Sequence, residues 1–141
     1  MGRNDRGFFS IDAVFAVTLL MMVTVSFLNV YQGRNQAAGL TGAEFEAKAV
    51  GGKLAAAINT VYANGPNFEL RINLPENVGS YFYQITFDNS LRQISVENLA
   101  WGAVSVGVVC KNVRNFVLGP ENLQKTIRVY WAENQVRVVS V

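Results

Sequence analysis

The sequence predicts an α+β protein: a long N-terminal α-helix, apolar in its first half and amphipathic in its second, packed on a C-terminal antiparallel β-sheet or sandwich. Three observations predict it. Residues 13–33 carry no charge, and Ala13–Tyr31 is strongly apolar. From Ala43 onward apolar residues recur at three-to-four spacing. After Pro66 the spacing becomes two, and about seven short alternating runs follow.

The elements follow in order. Residues 1–7, MGRNDRG, form a short polar leader with Arg3 and Arg6 around Asp5. Residues 8–33 are a hydrophobic helix. The nineteen residues Ala13–Tyr31 would extend roughly 28 Å at about 1.5 Å each, close to the hydrocarbon thickness of a bilayer. Thr18, Thr24 and Ser26 are tolerable there because their hydroxyls can bond back to the helix's own carbonyls. Residues 34–65 continue as an amphipathic helix. Gly33, Gly39 and Gly42 each weaken a helix by about 1 kcal/mol relative to alanine, so a loosened or bent stretch is expected around them. Ala47, Val50, Leu54, Ile58 and Val61 then form one stripe, with Glu46, Lys48, Lys53 and Asn59 off it. Asn64-Gly65-Pro66 supplies the stop.

Residues 66–141 are expected to be a β-rich globular domain. FELRINL alternates Phe68, Leu70, Ile72 and Leu74 against Glu69, Arg71 and Asn73, the mark of a half-buried strand. YFYQITF and LRQISVE flank Asp88-Asn89-Ser90, a hairpin turn. AVSVGVVCK, VRNFVLG, KTIRVYW and QVRVVSV supply four more strands, separated by Lys111-Asn112, Gly119-Pro120 and Glu133-Asn134. The sheet is the natural partner for the stripe on the helix. Tyr81, Phe82 and Tyr83 alternate between strand faces, as do Tyr130 and Trp131, so some of these rings face outward if the sheet is one-sided.

Composition excludes several classes. The chain of 141 residues is half hydrophobic with a formal net charge of +2, which argues against disorder and indicates no nucleic-acid partner. It has no histidine, so the commonest general base and metal ligand are missing. Cys110 is the single cysteine and lies in an apolar run, as a buried small hydrophobe does. No Cys/His pair or phosphate-binding glycine loop is present, and Gly51-Gly52 sits in a helix with no strand before it. No catalytic residue, metal site or cofactor is expected, and the chain is not expected to be an enzyme.

Asp12 is the conspicuous residue. A carboxylate deep in a bilayer costs roughly 2.5–3.5 kcal/mol even on mild scales, although near a helix N-terminus the dipole favours it. If the chain were cut after Gly7, the new amine of Phe8 would be positively charged over most of the neutral range. Phe8 and Asp12 would then stand four residues apart on one helix face, where the amine could neutralise the carboxylate within one chain. Between parallel helices staggered by four residues, roughly 6 Å, the amine of one could neutralise the carboxylate of the next. A head-to-tail rule of that kind generates an open helical polymer.

The segment RG-FFSID-AVFAVTLLMMV resembles the class III signal peptide and N-terminal helix of type IV prepilins, in which a short basic leader ends in Gly and the fifth mature residue is acidic. Arg6, Gly7 and Phe8 match the processing site, and Phe8 and Asp12 the assembly positions. Ser10 and the Arg6-Gly7 pair look more like the archaeal branch. The family usually has Glu at the fifth position, and Asp12 keeps the charge with a reach one methylene shorter. The resemblance covers about residues 3–31.

It implies cleavage by a prepilin peptidase and extraction from the membrane by a platform protein and an assembly ATPase. It also implies a surface filament made of copies of this chain or related pilins. Phe15, Leu19, Leu20, Met22, Phe27 and Leu28 would exchange membrane lipid for neighbouring helices in the filament core. The precursor would lie in the cytoplasmic membrane, N-terminus inside and β-domain outside. That orientation comes from the resemblance, since Arg3 and Arg6 are nearly balanced by Arg34 and Lys48 across the span. Two alternatives remain open. One is a secreted protein cut near Gln36-Ala37-Ala38-Gly39, although the apolar run exceeds the usual 7–15 residues. The other is a permanently anchored, single-span surface protein whose β-domain binds a partner.

Overall fold

The computed structural model describes residues 11–141. Its first element, α1, is assigned as one helix of 54 residues, Ile11–Asn64. The chain divides between Ala38 and Gly39 into two compact units. In the first, every described residue is exposed, and the hydroxyls of Thr18, Thr24 and Ser26 donate to the carbonyls of Val14, Leu20 and Met22 at 2.8 Å. These back-bonds let three polar side chains sit in an apolar helix without an outside partner. The expected loosening at Gly33, Gly39 and Gly42 does not interrupt the helix assignment, because a glycine costs about 1 kcal/mol against a ladder of cooperative hydrogen bonds.

The second unit holds the core. The helix ends where the sequence places its stop. Gly65 adopts φ +86 and its amide donates to the Val61 carbonyl at 3.2 Å, closing the last turn before Pro66. Seven strands follow: β1 (Glu69–Ile72), β2 (Gln84–Asp88), β3 (Gln93–Asn98), β4 (Gly102–Gly107), β5 (Phe116–Leu118), β6 (Ile127–Ala132) and β7 (Gln135–Ser140). They form two antiparallel sheets, one ordered β1-β6-β7 and one ordered β4-β3-β2-β5. The chain is therefore α+β, with the helix stripe packed on both sheets.

Alternation decides which side of each strand is buried. Ile85 and Phe87, Ile94 and Val96, Val129, and Val136 and Val138 point inward, whereas their neighbours Thr86, Ser95, Arg128 and Arg137 are partly exposed. Ala43, Ala47, Val50, Leu54, Ile58 and Val61 of the helix meet them in one buried cluster. Gly51 belongs to the contact: a Cβ there would lie 2.9 Å from a methyl of Val106 and 3.3 Å from one of Val96. At the far end of the stripe, Trp131 Nε1 donates to the Val61 carbonyl at 2.9 Å and its ring stacks on Tyr62.

The turns explain where the structure departs from the sequence-based strand limits. The run at Tyr81 is not yet sheet: Gly79 and Ser80, at φ +55 and +70, make a two-residue turn that pairs Val78 with Tyr81, and β2 begins only at Gln84. Gly119-Pro120 does more than separate strands. Proline occupies the first position of a one-turn helix, α2 (Pro120–Leu123), whose Asn122 side chain accepts the Gly119 amide at 3.1 Å. The Asp88-Asn89-Ser90 turn is present, with the Ser90 amide donating to Asp88 at 2.8 Å. The hydroxyl and amide of Ser90 hold the Asp88 carboxyl below its usual range. Glu133-Asn134, at φ +52 and +63, closes the β6–β7 hairpin.

Gly79 carries two constraints at once. Its positive φ disfavours any side chain, and a Cβ would stand 2.6 Å from Ala43 Cβ and 3.2 Å from Ala43 Cα. Its amide also donates to Glu46 at 2.8 Å. Gly79→Ala is therefore expected to destabilise the β-bearing unit by about 3 kcal/mol, combining backbone strain with overpacking. Denaturant unfolding of the detergent-solubilised chain, followed by tryptophan fluorescence, measures this.

Tyr83 is buried and donates its hydroxyl to the Pro75 carbonyl at 2.5 Å. Burial pushes its pKa from 10.0 to about 12. The unfolded chain loses that proton first, so the contribution is complete below pH ~10 and fades as pH rises toward the folded value. Ultraviolet titration of the folded protein should show one phenol ionising near pH ~12, and Tyr83→Phe should remove that step.

Candidate functional site

The segment Ile11–Tyr31 of α1 is apolar on every side. At about 100° per residue, Asp12, Phe15, Leu19 and Met22 share one stripe. Leu20 and Phe27 lie on a second, and Leu28 falls on a third. Their exposures run from 54% at Leu28 to 71% at Phe27. Ile11, Val14, Val17, Met21, Val25 and Val30 are also at least half exposed. The six side chains expected to pack in a helical core thus surround the helix instead of forming one seam.

Such a surface has no chemistry to perform on a substrate. A helix apolar all round is favoured in apolar surroundings over water. By length and composition the helix can cross a membrane. The same property suits an anchor and a signal sequence alike.

Asp12 lies in the first turn of the described helix, where the aligned backbone dipoles favour negative charge. Arg6, Gly7 and Phe8, the expected processing residues, lie outside the described residues, and so does the partner position expected for Asp12 at the Phe8 amine.

No group of three His, Cys, Asp or Glu among the described residues could hold a metal. Cys110 is buried, and desolvation pushes its thiol above the ordinary range, away from the reactive thiolate. Of the aromatic residues in doubt, Tyr83 and Trp131 serve the core, whereas Tyr81 and Phe82 are 44% and 61% exposed. Tyr130 lies under the Arg128 guanidinium, 4.5 Å from its ring centre. Sequence reasoning missed two outward apolar residues. Phe45 is 71% exposed on α1, and Leu99 is fully exposed at the tip of the β3–β4 hairpin. Phe45 was legible as an off-stripe position. Leu99 was not, because Asn98 and Gly102 were not recognised as the ends of a turn.

No protein-family model, curated protein or solved structure matches the chain.

Proposed function

We propose that the chain is a structural subunit of a type IV pilus-like surface filament, matured by cleavage after Gly7 and assembled through its apolar N-terminal helix. The observation that carries the reading is an acid at the head of a helix whose apolar side chains are exposed all round, joined to an independently packed β-bearing unit. The leader motif adds a place at which a new amine would arise, four residues before that acid. Phe45, Ala49, Gly52 and Ala56 support the reading further along α1, since they form an outward stripe free of charge.

In this mechanism the precursor rests in the cytoplasmic membrane with the β-domain outside. The prepilin peptidase frees Phe8. The platform protein and ATPase then move the helix out of lipid and against those of earlier subunits. Dispersion and apolar burial are nonspecific, so they favour helix crowding without choosing a register. The register comes from charge: the Phe8 amine of one subunit meets Asp12 of its neighbour, a pairing between chains that only one stagger allows.

One observation favours a second reading. The compact β-bearing unit begins at Gly39, beside the small residues where a secretory signal would be cut, so a chain starting there would keep its whole core.

The mature N-terminus separates the readings. Intact-mass measurement of native protein is expected to give Phe8–Val141. A start near Gly39 supports secretion, and retention of residues 1–7 in a host with active peptidase supports a permanent anchor. Asp12→Ala is expected to leave membrane insertion and processing intact while reducing incorporation into sedimentable filaments at least tenfold, given about 3 kcal/mol or more for an unpaired buried ion. Filaments at wild-type yield would refute the charge-register mechanism.

A further inference from the structure

The second unit carries a cleft with two arginines in its lining that the filament reading leaves unused. Its inner part, about 180 Å³, lies between the start of β5 and the outward face of β6 and β7, lined by Arg114, Asn115, Phe116, Tyr130 and Arg137 among others. Its outer part, about 510 Å³, shares Arg114 and Asn115 and extends to Asp88, Asn89, Ser90 and Gln135.

The walls are fixed by backbone bonding. Val136 N donates to the Asn112 carbonyl at 2.8 Å and Arg114 N to the Val136 carbonyl at 3.0 Å, which ties the strand before β5 to β7. Asn115 Oδ1 accepts the Asn89 amide at 2.8 Å, joining the β2–β3 turn to the same wall. That bond orients the Asn115 side chain and leaves its NH₂ group without an acceptor among the described residues.

The cleft is rich in donors that the fold does not use. Arg114 has no carboxylate within ion-pair distance among the described residues. Arg137 shares one nitrogen with the exposed Glu133, but its Nε is shielded from water and bonded to no described group. Its side chain is only 22% exposed. Asp88 is occupied by Ser90, and Glu69 by Arg128. Arg137 Nε is closed off from the cleft, so the donors a ligand can reach are the end of the Arg137 fork not held by Glu133 and the exposed Arg114 guanidinium. A planar guanidinium fork matches planar or tetrahedral oxyanions, carboxylate among them.

We infer that this cleft binds an acidic saccharide, with the sugar's carboxylate between Arg114 and Arg137 and its hydroxyl groups against the amides of Asn115, Asn89 and Gln135. The division of the cleft favours this over a bare anion: the arginines flank the smaller part, and groups able both to donate and to accept line the larger, as a polyhydroxylated body requires. A nucleotide is disfavoured because the available rings are engaged. Phe116 stacks on Phe87 with ring centres 5.5 Å apart, and Tyr130 is covered by Arg128. The inference stands whether or not the chain forms filaments.

Calorimetric titration of the full-length native protein in detergent tests it, using a glucuronate-containing disaccharide, the matched neutral disaccharide, inorganic sulfate and duplex DNA at fixed ionic strength. The acidic disaccharide is expected to bind at least tenfold more tightly than either the neutral sugar or sulfate. Arg114→Gln should weaken it at least tenfold with unchanged circular dichroism and Tm. Asn89→Ala, which keeps the backbone bond to Asn115, should weaken it severalfold. Equal binding of the neutral sugar, equal binding of sulfate, tighter binding of DNA, or no binding of the acidic sugar would each overturn the proposal.

Discussion

Withdrawal of the helix stripe Ala43–Val61 from water is the contact on which the β-bearing unit depends. Leu54, Ile58, Ala47 and Val61 are completely buried, and the two sheets share no continuous hydrogen-bonded edge. What joins the sheets is the apolar cluster organised by the helix, supplemented by a lone bridge between Val113 and Val136. Each sheet is narrow and would be marginal on its own, since an isolated ribbon of few strands cannot shield both faces. The helix supplies the missing layer. Small residues permit the approach: Gly51 lets Val96 and Val106 close on the backbone, and Ala43 lets Gly79 do so. Larger residues fill the stripe's other end, where Trp131 both packs and caps the Val61 carbonyl.

This division of labour explains what the sequence disclosed. The stripe was legible because burial on one side of a helix imposes a 3.6-residue period whatever the partner is. The strand interiors were legible for the matching reason at period two. Ends were harder. Tyr81 alternates correctly with its neighbours yet lies before the sheet, since the Gly79-Ser80 turn consumes its hydrogen bonds first. Leu99 sits in an apolar context but is exposed, because Asn98 bonds the Ala100 amide and throws the chain outward at the hairpin tip. Helix α2 depended on an Asn122 side chain returning to Gly119, a bond that no periodicity encodes.

The apolar segment and the cleft were visible to different degrees for a related reason. A charge-free run headed by Asp12 is a one-dimensional signal, complete in the chain itself. The cleft is assembled from Asn89, Arg114, Asn115 and Arg137, which belong to three separate stretches and look like ordinary solvated residues in sequence. Only the register that sets Tyr130 opposite Arg137, and the bond from Asn89 to Asn115, brings them to one place.

The two surfaces also differ in the chemistry they offer. Ile11–Tyr31 offers mostly hydrocarbon, with the hydroxyls of Thr18, Thr24 and Ser26 satisfied internally, so an anionic, hydrated ligand gains little contact there. The cleft offers donors and cations, which lipid tails or apolar helices could cover only by desolvating Arg114 without a carboxylate beside it, at a cost of several kcal/mol. Specificity of this kind needs no fine shape matching, because each wrong pairing buries an unsatisfied group. A chain that keeps one surface for lipid or its own copies can therefore carry a second for soluble anions without the first competing for them.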